Sequence, residues 1–124
     1  MIKTVIVKQF VDDLPCLILE SGIGFLNGYV GVDKNHPWYE KDYSESYCGH
    51  DGCREHTPEH EIDAHGGLTF SGFWKEVSEE LWWFGFDTGH VNDDPKYPGG
   101  WKKDEAYVEA ECRKLAKQLK EVKE

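Results

Sequence analysis

The sequence predicts an α+β fold in which an antiparallel sheet of about five strands packs against one long C-terminal helix. Short runs of β-branched and aromatic residues, separated by turn residues, fill the N-terminal and central parts of the chain. Near the C-terminus, apolar residues instead recur at intervals of three and four, the period of one helix face. With 124 residues, we expect a single domain over residues 1–124.

The first three strands are predicted as a meander. Residues 2–11 are rich in Val and Ile, a turn with two Asp and one Pro follows, and apolar residues resume over 16–19. Residues 25–32 then alternate well enough for a third strand, whose glycines allow close backbone approach. Short connections between neighbouring strands favour antiparallel pairing.

Two further strands follow a long irregular segment. Residues 33–62 contain Pro, Gly, Ser and Asp without a sustained period, and such long excursions are often functional. β-prone residues return at 68–70 and again at 81–86, with a polar stretch over 75–80 between them. We therefore predict the fourth and fifth strands there.

The C-terminal helix is amphipathic in its pattern. Asp104 is placed to cap it, and its single apolar face must lie on the sheet or on a second copy of the helix. Packing on the sheet is the simpler expectation. The apolar positions of this helix are Val108, Cys112, Leu115, Leu119 and Val122.

The charge of the chain excludes one class of partner. The formal net charge is −10, so a nucleic-acid polymer is not expected, because its binding depends on neutralising many phosphates. A small anionic ligand can still be held locally by glycine N–H groups and by one of the two arginines, Arg54 and Arg113.

Composition also indicates the compartment. The N-terminus lacks a continuous apolar core for a secretory signal, and no run approaches membrane-spanning length. We expect a cytoplasmic protein with no membrane partner. Its four cysteines are then expected as reduced thiols or metal ligands rather than as disulfides.

A cysteine- and histidine-rich stretch over residues 48–60 is the first candidate site. Its ligand types suit zinc, but the spacing differs from that of a zinc finger. We expect a polar loop in which Thr57 and Pro58 open a short helical turn, with no metal and no cofactor bound. The alternative is a structural zinc held by Cys48, Cys53, His56 and His60.

The second candidate combines HGGLTFSG, residues 65–72, with residues 82–90. Aromatic rings could stack on a base, a carboxylate could hold a ribose diol, and glycine N–H groups could meet phosphates. The alternative is a hairpin-like pair in which Trp83 and Phe86 fill the core while the glycines turn the chain. We favour a ligand site, because His and Asp are not core residues by type. The predicted ligand-binding residues are His65, Gly66, Gly67, Thr69, Trp82, Phe84, Asp87, His90 and Arg113.

Catalysis is not indicated. Neither His65 nor His90 is followed by the hydroxyl residue that paired-histidine phosphoesterases use, and the chain has no P-loop, no H-E-x-x-H and no G-x-S-x-G. No residue is therefore assigned as a nucleophile, and no catalytic residue is expected.

The order of several motifs resembles a known family. The motifs run through most of the chain, and in this order they resemble the anti-Thoeris sponge proteins of the first-described type, which are small phage and prophage proteins. They are residues 28–32, 36–39, 65–70, 82–87 and 107–112, read as GYVGV, HPWY, HGGLTF, WWFGFD and YVEAEC.

The resemblance implies a function and a partner. Such proteins sequester glycocyclic ADP-ribose, the messenger of bacterial TIR-based immunity, without degrading it, and some related members also hold cyclic oligonucleotides. It also implies an antiparallel sheet with helices and a homodimer or higher homo-oligomer. The alternatives are a metal-assisted hydrolase of such a messenger and a phage adaptor or structural protein.

Overall fold

A computed structural model gives the fold and confirms the α+β class with an antiparallel sheet and a C-terminal helix. It describes residues 4–11, 14–20, 25–45, 57–64, 67–74, 78–88 and 105–122. The elements are β1 (Thr4–Val11), β2 (Leu14–Glu20), β3 (Leu26–Val32), α1 (Pro58–Glu61), β4 (Phe70–Trp74), β5 (Ser78–Asp87) and α2 (Glu105–Glu121).

The sheet has the strand order β1-β2-β3-β5-β4, and each pair of neighbours is antiparallel. β5 begins at Ser78, earlier than its apolar run indicates, because Trp74 of β4 already pairs with Ser78. Residues 78–80, predicted as a polar connection, therefore belong to the strand. Backbone pairing in the hairpin decides this boundary rather than side-chain polarity.

One side of the sheet, called the helix face here, packs against α2. Gly28 makes the approach close, since a Cβ there would lie 2.6 Å from Cys112 Sγ. α2 begins at Glu105, and its expected cap Asp104 lies outside the described residues. The buried residues of α2 are Val108, Cys112, Leu115, Ala116 and Leu119, and those of the sheet on this face include Cys16, Ile18, Val30, Val32, Phe84 and Phe86.

Two thiols meet at this interface. Cys16 of β2 and Cys112 of α2 are both free and buried. The hydrogen bond between the two thiols, together with burial, raises the pKa of Cys112 well above its ordinary value. Cys112 therefore stays neutral, and the two buried side chains pack as small groups within the apolar core.

The irregular segment after β3 completes the helix face. Trp38 is buried against Phe84, with ring centroids 6.1 Å apart. His36 Nε2 donates to the Leu119 carbonyl at 2.7 Å, while His36 Nδ1 accepts from the Trp38 N–H at 2.9 Å. Trp38 is thus part of the core, and His36 holds the end of α2.

A second tie joins residues 57–64 to α2. The Asp63 N–H donates to Gln118 Oε1, and Gln118 Nε2 donates to the Asp63 carbonyl, each at 2.8 Å. This reciprocal pair satisfies both backbone groups of one residue with one side-chain amide. The pair joins α2 to a residue 55 positions earlier in the chain.

The opposite side of the sheet, called the aromatic face here, carries a different set of side chains. Tyr29 and Trp83 are buried, and their rings lie over glycine. A Cβ at Gly85 would stand 2.7 Å from Tyr29 Cε1, and one at Gly31 would stand 3.2 Å from the Trp83 ring. Its members are Leu17, Leu19, Tyr29 and Trp83, with Phe70, Trp74 and Leu81 packed against them.

Candidate functional site

The glycines of HGGLTFSG turn the chain at Gly67. Gly67 has φ +84°, a left-handed conformation that glycine adopts without strain, and its N–H donates to the Ala64 carbonyl at 2.9 Å. The Thr69 N–H likewise donates to the Gly85 carbonyl at 2.9 Å. These two backbone donors are therefore used within the chain, and the phosphate contact expected from Gly67 is not open there. His65 and Gly66 lie outside the described residues.

The alternation of β5 separates the predicted ligand residues. Trp82 and Phe84 point to the helix face, where Phe84 is fully buried and Trp82 Nε1 donates to the Lys41 carbonyl at 2.8 Å. Asp87 is half-buried on the aromatic face, because successive side chains of a strand alternate sides. Trp82 and Phe84 therefore cannot stack on a ligand that is held by Asp87.

Arg113 is also placed apart from Asp87. It is exposed on α2, which covers the helix face, and its guanidinium donates to Glu109 Oε1 at 2.8 Å. The sheet therefore stands between Arg113 and Asp87. The last predicted ligand residue, His90, lies outside the described residues.

The candidate zinc residues fall mostly outside the described part of the chain. Cys48, Cys53 and His56 are not described, and His60 is exposed on α1. The short helical turn expected at Thr57 and Pro58 is confirmed, with Thr57 Oγ1 accepting from the His60 N–H at 3.3 Å. Among the described residues, no group of three His, Cys, Asp or Glu side chains could hold a metal ion.

Asn27 and Asp87 form a polar end of the aromatic face, of which only Asp87 was expected from the sequence. The two residues are directly opposite each other in β3 and β5. Asn27 is only 5 % exposed, and its Oδ1 has no hydrogen-bond partner in the described structure. A buried acceptor without a partner is unusual in a folded protein. It identifies this end of the face as a place where a ligand donor would be stabilising.

Aromatic rings extend from this polar end. The ring of Tyr29 makes edge contacts with Phe70 at 5.4 Å and with Trp74 at 4.9 Å between centroids. Tyr29 is buried, whereas Phe70 and Trp74 towards the edge strand β4 are half-exposed. A planar ligand can therefore reach the face from the β4 side and meet ring surfaces there.

A period of two along each strand could have found this site. Applied to β3, it places Asn27, Tyr29 and Gly31 on one side; applied to β5, it places Trp83, Gly85 and Asp87 together. Proximity in the chain instead joins Trp82 and Phe84 to Asp87, although they lie on the opposite side of the sheet.

An open cleft of about 440 Å³ lies at the other end of β3 and β5. Tyr39 lines it and donates its phenolic O–H to the Glu80 carbonyl at 2.8 Å. Partial burial, followed by the charges of Glu40, Glu80 and Asp33, raises the pKa of Tyr39. This negative field disfavours an anionic ligand, so the cleft is a poorer nucleotide site than the aromatic face. Its lining residues are Asp33, Lys34, Asn35, Tyr39, Glu80 and Leu81.

Within the described residues, none of the helices is long and apolar enough to cross a membrane. Comparisons of the chain with protein-family models, with curated proteins and with solved structures find no match.

Proposed function

We propose that the chain binds a cyclic nucleotide signal of the glycocyclic ADP-ribose kind and sequesters it without degrading it, thereby blocking TIR-based Thoeris immunity. The class of ligand comes from the resemblance in the motifs. The observation that carries the binding site is the buried, unpartnered Asn27 Oδ1 beside Asp87 on the aromatic face.

The polar end matches the chemistry of a nucleotide. A buried acceptor without a partner costs about 1–3 kcal/mol, and a hydroxyl or amino donor on a ligand would remove that cost. Asp87 adds a carboxylate that can accept from a ribose diol. Tyr29, Phe70 and Trp74 offer ring surfaces for a base in the same region.

Phosphate groups are expected to point away from this face. Of the described basic side chains, those of α2 lie on the other side of the sheet, and Lys34 and Lys41 belong to the segment after β3. Affinity would then come from stacking and from hydrogen bonds, including those to the Asp87 carboxylate, rather than from ion pairs with phosphate. We expect the dissociation constant to change less than about threefold between 50 and 300 mM salt, because few charges are screened.

Sequestration and hydrolysis give different products. The protein is incubated with glycocyclic ADP-ribose, the free ligand is measured, and the sample is then heated to denature the protein. We expect free ligand to fall and then to return intact after heating. Loss of the ligand after heating would show an enzyme, and no depletion at either stage would contradict binding altogether.

Two variants locate the site. Asp87→Ala should weaken binding by about 1.5–3 kcal/mol, the usual effect of losing a charge-assisted hydrogen bond, while the protein stays folded. Arg113→Ala is the control, because Arg113 lies across the sheet and should leave affinity unchanged. Calorimetry on the parent and both variants tests this. Equal affinities for the parent and Asp87→Ala would exclude the polar end as the site.

We also expect a homodimer or higher homo-oligomer, as the resemblance implies. α2 already buries its apolar positions in its own sheet, so it does not offer them to a second copy. Light scattering at several concentrations measures the mass, and a monomer at all of them would contradict this expectation.

A further inference from the structure

Within the described residues, two buried side-chain atoms have no hydrogen-bond partner, Asn27 Oδ1 and Trp83 Nε1. Other buried polar side chains are satisfied, as shown by Thr88, whose hydroxyl donates to the Leu26 carbonyl at 2.6 Å. Both unpartnered atoms belong to side chains of the aromatic face. One is an acceptor and the other is a donor, so together they are complementary to a ligand with both kinds of group.

We infer that Trp83 Nε1 is a second hydrogen-bonding anchor for the ligand, at the end of the aromatic face away from Asn27. The inference rests on the proposed function and specifies the ligand that this site selects. Such a ligand donates a hydrogen bond to Asn27 at one end and accepts one from Trp83 at the other.

The strand register gives the size of this ligand. Trp83 pairs with Gly31, which follows Asn27 by four positions on β3. At about 3.3 Å per residue, the two positions are roughly 13 Å apart along the strand. A mononucleotide is too short to meet both anchors through its base and sugar. A ligand of two nucleotide-like halves is long enough, and the rings of Tyr29 and Phe70 lie between the anchors.

Gly72 provides access to Trp83. It pairs with Trp83 from the edge strand β4 and is half-exposed. A Cβ at Gly72 would come no nearer than 3.5 Å to another group, the ring of Phe70. The missing side chain therefore leaves the edge strand open at the level of Trp83, although no atom of the indole lies within 4 Å of that position.

A purely structural role for Trp83 predicts a different outcome. Trp83→Phe keeps an aromatic ring in the same place but removes the N–H. If the indole only fills the core, the variant should bind ligand as the parent does. If it is an anchor, the variant should bind more weakly. The smaller ring also leaves space at a fully buried position, so a modest fall in melting temperature is expected in either case and is measured separately from affinity.

Calorimetry with glycocyclic ADP-ribose and with AMP tests the inference. We expect the parent to bind glycocyclic ADP-ribose at least about tenfold more tightly than AMP, and Trp83→Phe to lose about tenfold for the cyclic ligand, the effect of one hydrogen bond. For AMP, the change should be less than about twofold. Thermal melting of each variant is measured in parallel.

Two further variants complete the experiment. Gly72→Val should fill the open position of the edge strand at the level of Trp83 and weaken binding of the cyclic ligand, with the fold retained. Thr88→Val removes a buried hydroxyl that has an internal partner, so it should lower the melting temperature without changing affinity. If the parent binds but Trp83→Phe binds equally well, the anchor is excluded and the proposed function stands. If the parent does not bind the cyclic ligand, both are overturned.

Discussion

The two faces of the sheet differ in how fully their polar side chains are hydrogen-bonded. The helix face is covered by α2 and by the segment that follows β3, and hydrogen bonds satisfy the half-buried side chains of His36 and Gln118 at its edge. The aromatic face has large rings over glycine and, in the part of the chain that the structure describes, two buried polar atoms without hydrogen-bond partners. The packing and hydrogen bonds of the helix face serve stability. The aromatic face instead leaves a donor and an acceptor with which a ligand could form hydrogen bonds.

The largest expected effect comes from breaking the helix face. Leu115→Asp puts a carboxylate at a fully buried position of α2, and we expect a loss of at least about 3 kcal/mol in the free energy of unfolding, which unfolds a marginal domain. Lys117→Asp, on the exposed side of the same helix, should change it by less than about 1 kcal/mol. Urea denaturation followed by circular dichroism compares them, and a stable Leu115→Asp protein would contradict the assigned core.

A pair of glycine substitutions compares one contact on each face, that of Gly28 with α2 and that of Gly31 with the Trp83 ring. Gly28→Ala places a methyl group 2.6 Å from Cys112 Sγ, so the helix or Phe86 must move, at a cost of about 1–3 kcal/mol. At Gly31, the Trp83 ring is 3.2 Å away and needs to shift only slightly. We expect Gly31→Ala to cost less than Gly28→Ala in the same denaturation experiment. The reverse order would show that the Trp83 ring gives way less easily at Gly31 than α2 and Phe86 do at Gly28.

The smallest effect concerns the tie at the end of α2. Burial, opposed by the hydrogen bond to the Leu119 carbonyl and by Asp33, lowers the pKa of His36 from 6.5. The folded protein therefore binds this proton less readily than the unfolded chain. The contribution of His36 to stability is complete above about pH 6.5 and is lost as the pH falls towards the lower folded pKa.

Thermal melting from pH 8 to pH 5 measures this contribution. The parent should lose more stability over that interval than His36→Gln, in which the amide cannot titrate, and the difference between the two curves isolates His36 from the other histidines. Parallel curves would show that His36 is protonated equally in both states.

Local sequence patterns were sufficient for the fold class and the main elements. β-prone runs with intervening turn residues located the strands, and the three-and-four spacing located α2, because both signals depend on neighbours in the chain. The start of β5 was predicted too late in the chain, because residues 78–80 are polar and the pairing of Ser78 with Trp74 has no local apolar signal. Similarly, nothing near His36 indicates that it will meet Leu119, 83 positions further on.

The candidate site was only partly accessible from sequence. Asp87 was singled out by its residue type, but Trp82 and Phe84 were grouped with it by proximity in the chain, although the pleat sends them to the opposite side. Asn27 was passed over because an isolated amide in a strand carries no signal until its burial and its missing partner are known.

The contact between Cys16 and Cys112 makes the rate at which α2 separates from the sheet measurable by thiol labelling. Both thiols are buried, and the pKa of Cys112 is raised by its hydrogen bond to Cys16 and by burial, so neither is a ready nucleophile while α2 rests on the sheet. A thiol reagent would label them only during excursions that lift the helix. In a background with Cys48 and Cys53 replaced by Ser, the labelling rate would therefore count those openings, and a ligand on the aromatic face that rigidifies the sheet would slow it from across the molecule.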